Sequence, residues 1–329
     1  MATAEQLKAL LESHTEGDDD RFFAVMIQLA AHAARQGHTK LAHELRAFID
    51  KAKLAAGDDP GRGARPPVAV AQPRGELGAL LAASYPKAKL GDLILTKDIR
   101  AHLDRIVVEQ RQREKLSTRA LHPRRKILLV GPPGTGKTYS ARALAGELHL
   151  PLFSVLLDGL ITKYMGETAA KLRLIFDAAV KTRGVYFFDE FDALGSERGN
   201  PNDVGEARRT LNSFLQFLEQ DESESLLVAA TNHVGLLDTA LFRRFDDIVE
   251  FSLPDQALAT QAMKARLAPM DTKGVNWRGA TTTAKGLSYA EIAKACDDAA
   301  KEAVLKDSSR ISNSALRAAL LRRRESRRK

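Results

Sequence analysis

The sequence is poor in cysteine and has no long apolar run, and both absences narrow the class of protein. Its single cysteine, Cys296, cannot form a disulfide within the chain, so a reducing compartment, the cytoplasm, is the simplest expectation. No stretch approaches the ~20 apolar residues of a membrane-spanning helix. The first residues, MATAEQLKALLESH, lack the basic and apolar segments of a secretory signal. We therefore expect a cytoplasmic protein without a membrane span.

The charge is not spread evenly along the chain. The formal net charge is +8, and the last nine residues, 321–329, supply +5 of it with six basic residues and one acidic residue. A basic tail of this kind is typical of a solvated chain end. Binding to an anionic partner such as nucleic acid is the alternative, and a strong salt dependence would reveal it.

Apolar spacing and turn residues divide the chain into four parts. Residues 1–56 have apolar residues at helical spacing and predict a small helical module that recruits a substrate or an adaptor. Residues 57–76 are rich in glycine and proline, as in a linker. Residues 77–254 alternate apolar strands with helices, and residues 255–329 predict a small helical domain with the basic tail. In this last part Ser288 and Glu291 form a capping-box pattern at a helix start.

Apolar runs in the third part predict the strands of a parallel sheet covered on both faces, since they do not alternate with polar residues. The predicted strands are 126–131, 152–157, 185–190 and 226–232. Helical patterns lie between them, at 141–148, 167–181 and 207–220. The predicted fold is therefore an α/β domain, preceded by an all-helical module and followed by a helical one.

A glycine-rich segment, GPPGTGKT at 131–138, lies between the first of these strands and a helix. Its glycines allow the tight turn that points backbone N–H groups at phosphates, and the helix N-terminus adds positive potential. In such a P-loop Lys137 would reach the β- and γ-phosphates of ATP, and Thr138 would bind Mg²⁺. A chance match is the alternative, but the strand–loop–helix context argues against it. The predicted nucleotide-binding residues are Gly131, Pro132, Pro133, Gly134, Thr135, Gly136, Lys137, Thr138 and Tyr139.

The apolar run VYFFDE at 185–190 ends in two acidic residues. At the carboxyl edge of the sheet, Asp189 could hold the magnesium ion through water and Glu190 could polarise the attacking water. Many buried strands end in an acid, so the pattern gains weight from the P-loop that precedes it. Together the two segments predict hydrolysis of Mg-ATP, since a protein that only binds nucleotide would not need Glu190.

Over about residues 77–329 the chain resembles the classical AAA (AAA+) ATPase family. The resemblance is carried by four segments in this order: GPPGTGKT, FFDEFDAL, AATNH and LDTALFRRFD. The resemblance implies a P-loop parallel-sheet domain with a C-terminal helical lid, assembled as a homo-oligomer, usually a hexamer. It also implies that Asn232 orients the lytic water and that Arg243 and Arg244 are arginine fingers for a neighbouring subunit. For a pair of arginines before a phenylalanine, a surface salt-bridge site is the alternative.

The Arg-Arg-Phe form and the order of module, linker and single AAA segment are similar to the spastin and katanin branch. Tyr164, Met165 and Gly166 match the family's pore loop, which grips a polypeptide and pulls it through the ring; packing of Tyr164 within its own domain is the alternative. The resemblance thus implies a protein substrate. The sequence contains no H-E-x-x-H, so any proteolysis would need a separate protease or effector as partner.

Three positions depart from the family's pattern. His233 follows Asn232 where an arginine is common, Tyr289 stands where the lid usually has a small residue near the adenine, and 286–289 contain no arginine. The leading hypothesis is a motor that remodels, unfolds or disassembles proteins. The alternatives are a nucleic-acid motor or loader, for which no nucleic-acid-binding motif appears, and a nucleotide-switched scaffold.

Overall fold

The computed structural model describes residues 73–160, 167–194, 201–233 and 242–326, without the side chains of 194 and 201–208. All of them lie in one compact unit, Ala71–Lys329. The helical module predicted at 1–56, most of the linker predicted at 57–76 and the predicted pore residues fall outside the described residues. No helix of the described ranges is long and apolar enough to cross a membrane.

Among the described residues, six strands form one sheet in the order β1-β3-β4-β5-β2-β6. All neighbouring strands are parallel except β1 and β3, which are antiparallel. The strands are β1 (Leu81–Ser84), β2 (Lys126–Val130), β3 (Leu152–Val155), β4 (Val185–Phe188), β5 (Leu226–Thr231) and β6 (Asp247–Glu250). The predicted α/β fold is confirmed, and the four predicted strands are its central strands.

The two edge strands were not predicted because neither has an apolar run. β1 reads LAAS and β6 reads DIVE, and each adopts strand geometry by pairing along the backbone with one more apolar neighbour. The predicted strand at 152–157 is also shorter than expected. It ends at Val155, and a short helix begins at Leu157.

The helices alternate with the strands up to β5 and form a separate group at the end of the chain. They are α1 (Glu76–Leu80), α2 (Lys97–Arg111), α3 (Arg113–Ser117), α4 (Lys137–Leu148), α5 (Leu157–Leu160), α6 (Glu167–Lys181), α7 (Pro201–Gln220), α8 (Gln256–Arg266), α9 (Trp277–Thr283), α10 (Tyr289–Val304) and α11 (Asn313–Ser326). The predicted helix at 207–220 begins six residues earlier, at Pro201, because proline suits the first turn, where no intrahelical N–H bond is made.

Alternate residues of the central strands belong to two apolar cores, one on each face of the sheet. Leu128, Tyr186 and Phe188 lie in the core that α6 and α7 cover, while Ile127 and Phe187 lie in the core that α2 and α4 cover. Burial of both faces explains why these strands read as unbroken apolar runs. Because β2, β4 and β5 run parallel, their carboxyl ends meet at one edge of the sheet.

The C-terminal helices α8 to α11 share a core of their own. Its centre includes Ile292 and Cys296 on α10, both fully buried. The predicted capping box is confirmed: the Ser288 hydroxyl accepts the N–H of Glu291, and the Glu291 carboxylate accepts the N–H of Ser288 at 2.7 Å. These reciprocal bonds fix where α10 begins, which matters because its first residues face the glycine-rich loop.

Candidate nucleotide site

The loop between β2 and α4 has the backbone form that a phosphate cradle needs. Gly134 and Gly136 have φ values of +74° and +106°, in the left-handed region where residues with a Cβ are strained. Gly136 is the residue from which α4 starts. The segment therefore turns tightly and leads directly into a helix N-terminus, where free N–H groups and the helix dipole favour anions.

Lys137, the first residue of α4, folds its side chain back over the loop. Its Nζ donates to the carbonyl oxygens of Gly131 and Pro132 at 2.7 and 2.9 Å, and to Oδ1 of Asn232 at 2.7 Å. Burial lowers the pKa of Lys137, and the nearby carboxylates of Asp189 and Asp192 oppose that shift. The ammonium group is thus held next to the loop with three neutral oxygen partners, which phosphate oxygens could replace.

Thr138 and Asp189 meet although they are 51 positions apart in the chain. The Thr138 hydroxyl donates to Oδ2 of Asp189 at 2.8 Å, because α4 starts beside the end of β4. A hydroxyl and a carboxylate are the hard oxygen donors that Mg²⁺ prefers. This pair fits a magnesium ion between the phosphates and the sheet edge.

Glu190 follows β4 in an unusual backbone conformation. Its φ is +49°, which costs a residue with a side chain roughly 1–2 kcal/mol. Its N–H donates to Oδ1 of Asp189 at 3.0 Å, so the same carboxylate contacts Thr138 and the Glu190 backbone. The side chain of Glu190 is exposed and lines the cavity described below. Strain at such a position is a common feature of functional sites.

Asn232, the residue after β5, shares the Lys137 ammonium with the glycine-rich loop. Besides the bond from Lys137, its backbone N–H lies 3.4 Å from Oδ1 of Asp192. The next residue, His233, donates its N–H to the Thr231 hydroxyl at 3.0 Å. The structure thus brings Lys137, Thr138, Asp189, Glu190 and Asn232 together at the carboxyl edge of the sheet.

A cavity of about 720 Å³ opens over these residues, within the ~300–1,000 Å³ typical of small-molecule sites. Of the predicted nucleotide-binding residues, Pro133 to Tyr139 line it, whereas Gly131 and Pro132 do not. Its walls also contain residues that were not predicted, among them Leu93, Ile94, Arg142 and Arg266. Arg142 lies three positions after Tyr139 on α4, so helical spacing could have indicated it. Nothing in the sequence pairs the others with the loop.

The C-terminal helices close one side of this cavity. The N–H of Ala290, in the first turn of α10, donates to the carbonyl oxygen of Gly134 at 3.1 Å. Tyr289 lines the cavity beside it, and burial raises the pKa of its phenol to about 12. Arg266 reaches the cavity from α8 and makes two bonds to Asp297, at 2.6 and 2.7 Å. The cavity is therefore built by both the sheet domain and the helical domain.

The two predicted arginine fingers lie outside this cavity. Arg244 pairs with Glu219 on α7, at 2.9 Å between Nε and Oε1. Arg243 is exposed, and within the described ranges it has no ion-pair partner. The structure thus does not bring either arginine to the nucleotide site of its own subunit. Tyr164, Met165 and Gly166 lie outside the described residues, between α5 and α6.

Comparisons with known proteins agree with this geometry. Residues 127–253 match the profile of a family described as "ATPase family associated with various cellular activities (AAA)". The chain is 34% identical over 308 residues to y4kL, an uncharacterised AAA family ATPase of Sinorhizobium fredii, and the match covers 93% of this chain and 91% of that protein.

Two further relatives are larger proteins. The chain is 35% identical over 233 residues to the ATP-dependent zinc metalloprotease FtsH 3 of Sphaerobacter thermophilus, covering 68% of this chain. It is 34% identical over 192 residues to the proteasome-activating nucleotidase of Methanococcus maripaludis, covering 56% of this chain. The chain spans about half the length of each of these two relatives, 47% in both cases.

Proposed function

The chain belongs to the AAA family of ATPases, and on that premise we propose that it is a Mg²⁺-dependent motor that remodels protein substrates as a ring of identical subunits. ATP hydrolysis is the activity of the family. The coupling to protein remodelling, the hexameric ring and the role of each site residue are our proposal. Its main support is the convergence of Lys137, Thr138, Asp189, Glu190 and Asn232 on one cavity.

We assign the triphosphate of ATP to the loop of residues 131–138. The N–H groups at the start of α4 would bind the phosphate oxygens, and Lys137 would exchange its carbonyl partners for the β- and γ-phosphates. Tyr139 and Tyr289 line the part of the cavity left for the base and ribose. The tyrosine at 289, in place of a small residue, makes this wall bulkier than the family's pattern implies.

Thr138 and Asp189 would hold Mg²⁺, which would neutralise charge on the phosphates. Glu190 would then accept a proton from the attacking water, and Asn232 would orient that water. The bond from Lys137 to Asn232, at 2.7 Å, supports this arrangement, because it places the amide next to the ammonium that would contact the γ-phosphate. Asp189 would fix the backbone of Glu190 through its other oxygen.

Neither Arg243 nor Arg244 lines the nucleotide cavity of its own subunit, so neither can stabilise there the charge that develops on the γ-phosphoryl group. We propose that a neighbouring subunit donates an arginine from this pair, an interaction worth about 10³–10⁵ in rate in other phosphoryl-transfer enzymes. Hydrolysis would then depend on assembly. The hexameric number and the spastin and katanin branch rest on sequence resemblance, the latter on Arg-Arg-Phe at 243–245.

The substrate proposal rests on the segment between α5 and α6, where Tyr164, Met165 and Gly166 match a pore loop. An aromatic ring can pack against side chains of any sequence, and glycine lets the backbone swing. Relatives named as a metalloprotease and as a proteasome activator support a protein substrate. A separate protease or effector would be a further partner, the module at 1–56 would recruit clients, and the single cysteine favours the cytoplasm.

The test is the dependence of ATP turnover on protein concentration, with Glu190→Gln as the matched inactive control. Phosphate release per subunit should rise with concentration, because the site is complete only at a subunit boundary. Glu190→Gln should bind ATP with wild-type affinity but lose turnover by about 10²–10⁴-fold, the usual contribution of a general base. A rate per subunit that is constant down to the monomer would contradict the ring.

The same assay separates the alternative functions. Unfolded protein should stimulate turnover, whereas stimulation by DNA or RNA alone would favour a nucleic-acid motor. Absence of turnover under all conditions, with intact ATP binding, would favour a nucleotide-switched scaffold. Glu190→Gln loaded with ATP should also retain clients, and their identification would define the substrate.

A further inference from the structure

The basic end of the chain belongs to α11 as far as Ser326 and is packed against the helical domain. Leu316 and Leu320 on this helix are fully buried in the core of that domain. Nη2 of Arg323 donates to Oδ2 of Asp298 on α10 at 2.6 Å, which ties the last turns of α11 to its neighbour. The charges of α11 are therefore held on a fixed surface, whereas the sequence alone predicts a solvated chain end.

Three other arginines of α11 project from the domain. Arg317, Arg322 and Arg324 are exposed, and none of them has an ion-pair partner within the described ranges. Arg317 and Arg324 are seven positions apart, which is about two helical turns or ~10 Å along the axis, so they lie on the same side of the exposed face. Arg322 lies on its other side. The only acidic residue of α11 is Glu325, so this face is strongly positive.

The acidic side chains of the neighbouring helix do not neutralise these arginines. Each acidic residue in the second half of α10 is already paired with another cation. The pairs are Asp297 with Arg266, Asp298 with Arg323 and Glu302 with Lys306, at 2.6, 2.6 and 2.7 Å. The bond from Lys306 is the largest cause of the lowered pKa of Glu302, and the charge of Arg322 contributes less. The exposed guanidinium groups are thus available to an anionic partner.

We propose that α11 binds the phosphodiester backbone of a nucleic acid, with Arg317, Arg322 and Arg324 as the phosphate contacts. Guanidinium groups form charge-assisted and often bidentate bonds with phosphate oxygens. A basic stripe along a helix is the electrostatic footprint of a nucleic-acid-binding surface. Since α11 contains no aromatic residue that could stack on a base, binding should not depend on base sequence. This site goes beyond the proposed motor function and does not require ATP turnover.

The composition of this face argues against two other anionic partners. A specific interface with an acidic protein needs an apolar centre, whereas Leu321, 38% exposed, is the only large apolar side chain that α11 exposes. An anionic membrane would take up the apolar side of an amphipathic helix, but Leu316 and Leu320 lie in the core of the domain. Contact with a phosphate backbone requires only positive charge, which this face has.

The test is fluorescence anisotropy of labelled DNA oligonucleotides, single-stranded and duplex, titrated with the full chain at several salt concentrations. The Kd should lie at about 10⁻⁶–10⁻⁴ M, the range of non-specific binding. Three phosphate contacts predict a slope of log K against log [salt] of at least about −2 in magnitude on single strands and about −2.7 on duplex. Duplex affinity should therefore fall at least ~40-fold between about 50 and 200 mM salt. Absence of binding at the lower salt concentration would overturn the proposal.

Replacement of Arg317, Arg322 and Arg324 together by glutamine should remove this part of the slope and weaken binding at the lower salt concentration by at least about tenfold. The matched control replaces Lys97, Lys115 and Arg119, which are exposed and have no ion-pair partner in the described part of the sheet domain. This control loses the same charge but should keep the wild-type slope. Equal losses in the two triple variants would mean that net charge alone attracts DNA, and the site would be wrong.

Other anionic probes decide the class of partner. Binding of polyglutamate without binding of DNA would assign the face to acidic proteins. Binding only to vesicles of phosphatidylcholine and phosphatidylserine would assign it to membranes. Either result would refute the nucleic-acid site.

Failure of this inference is distinguishable from failure of the proposed function. No residue of α11 lines the nucleotide cavity, so the α11 variant should keep wild-type ATP turnover and thermal-unfolding midpoint, and Glu190→Gln should keep DNA binding. Loss of DNA binding in Glu190→Gln would place the contact at the nucleotide site and contradict this inference. A wild-type protein that turns over ATP in a concentration-dependent manner but binds no DNA would retain the motor and lose only the α11 site.

Discussion

Replacing Gly134 by alanine tests whether the helical domain rests on the phosphate loop. Gly134 has a φ of +74°, and a Cβ there would lie 2.7 Å from Oγ of Ser288 and 2.9 Å from Cβ of Ala290. The left-handed backbone costs about 1–2 kcal/mol for alanine, and overpacking adds about 1–3 kcal/mol. We therefore expect Gly134→Ala to lower the free energy of unfolding by about 2–5 kcal/mol, the sum of these two ranges.

Gly286 offers a matched control. Its φ is +85°, and a Cβ there would have no atom within 4 Å. Gly286→Ala should therefore lower the free energy of unfolding by the backbone cost alone, about 1–2 kcal/mol. The difference between the two variants isolates the contact between the loop and α10. Urea titration followed by circular dichroism measures both free energies of unfolding.

The two variants should also differ in nucleotide binding. In Gly134→Ala the loop has to move away from Ser288 and Ala290, which disturbs the N–H groups that bind phosphate. A loss of about 1.4 kcal/mol in the free energy of ATP binding corresponds to an about tenfold higher Kd. Titration with a fluorescent ATP analogue measures this Kd. Gly286→Ala should bind ATP within about twofold of wild type. Equal unfolding midpoints and equal ATP affinities for the two variants would refute the contact between loop and lid.

Three further predictions concern other parts of the chain. Tyr164→Ala should keep ATPase activity but lose processing of a protein substrate in an unfolding assay, whereas loss of ATP binding would contradict the pore assignment. Phe214→Ala should destabilise the sheet domain by about 3–5 kcal/mol in urea unfolding, since its ring centroid lies 4.6 and 5.0 Å from those of Phe191 and Phe188. Burial raises the pKa of the Cys296 thiol to about 12. A thiol reagent at pH 8 should therefore label Cys296 only after unfolding. Rapid labelling of the native protein would count against a closed core in the helical domain.

The central strands and the phosphate loop were predictable because their signals are local. Ile127 to Val130 and Val185 to Phe188 are buried on both faces of the sheet, so each strand is apolar without reference to its neighbours. The glycines of residues 131–138 are themselves sufficient to predict a tight turn. The capping box of Ser288 and Glu291 is also local, since it involves residues three positions apart. In each case the chemistry that decides the structure lies within a few residues.

The order of the strands and the meeting of distant side chains were decided by the tertiary structure. The bonds from Thr138 to Asp189 and from Lys137 to Asn232 join residues 51 and 95 positions apart. Their residue types could be read from the sequence, but their geometry depends on three strands ending at one edge. The antiparallel strand β1, the entry of Arg266 into the cavity and the pairing of Arg244 with Glu219 left no trace in local pattern.

The sequence by itself thus determined the nucleotide-binding chemistry and the α/β class, because a phosphate cradle and a doubly covered strand are encoded by adjacent residues. Only the tertiary structure decided which faces close the cavity and which arginine stays free of an internal ion pair among the described residues. Those outcomes depend on which segments pack together, and packing selects partners by shape and distance across the whole domain rather than by spacing along the chain.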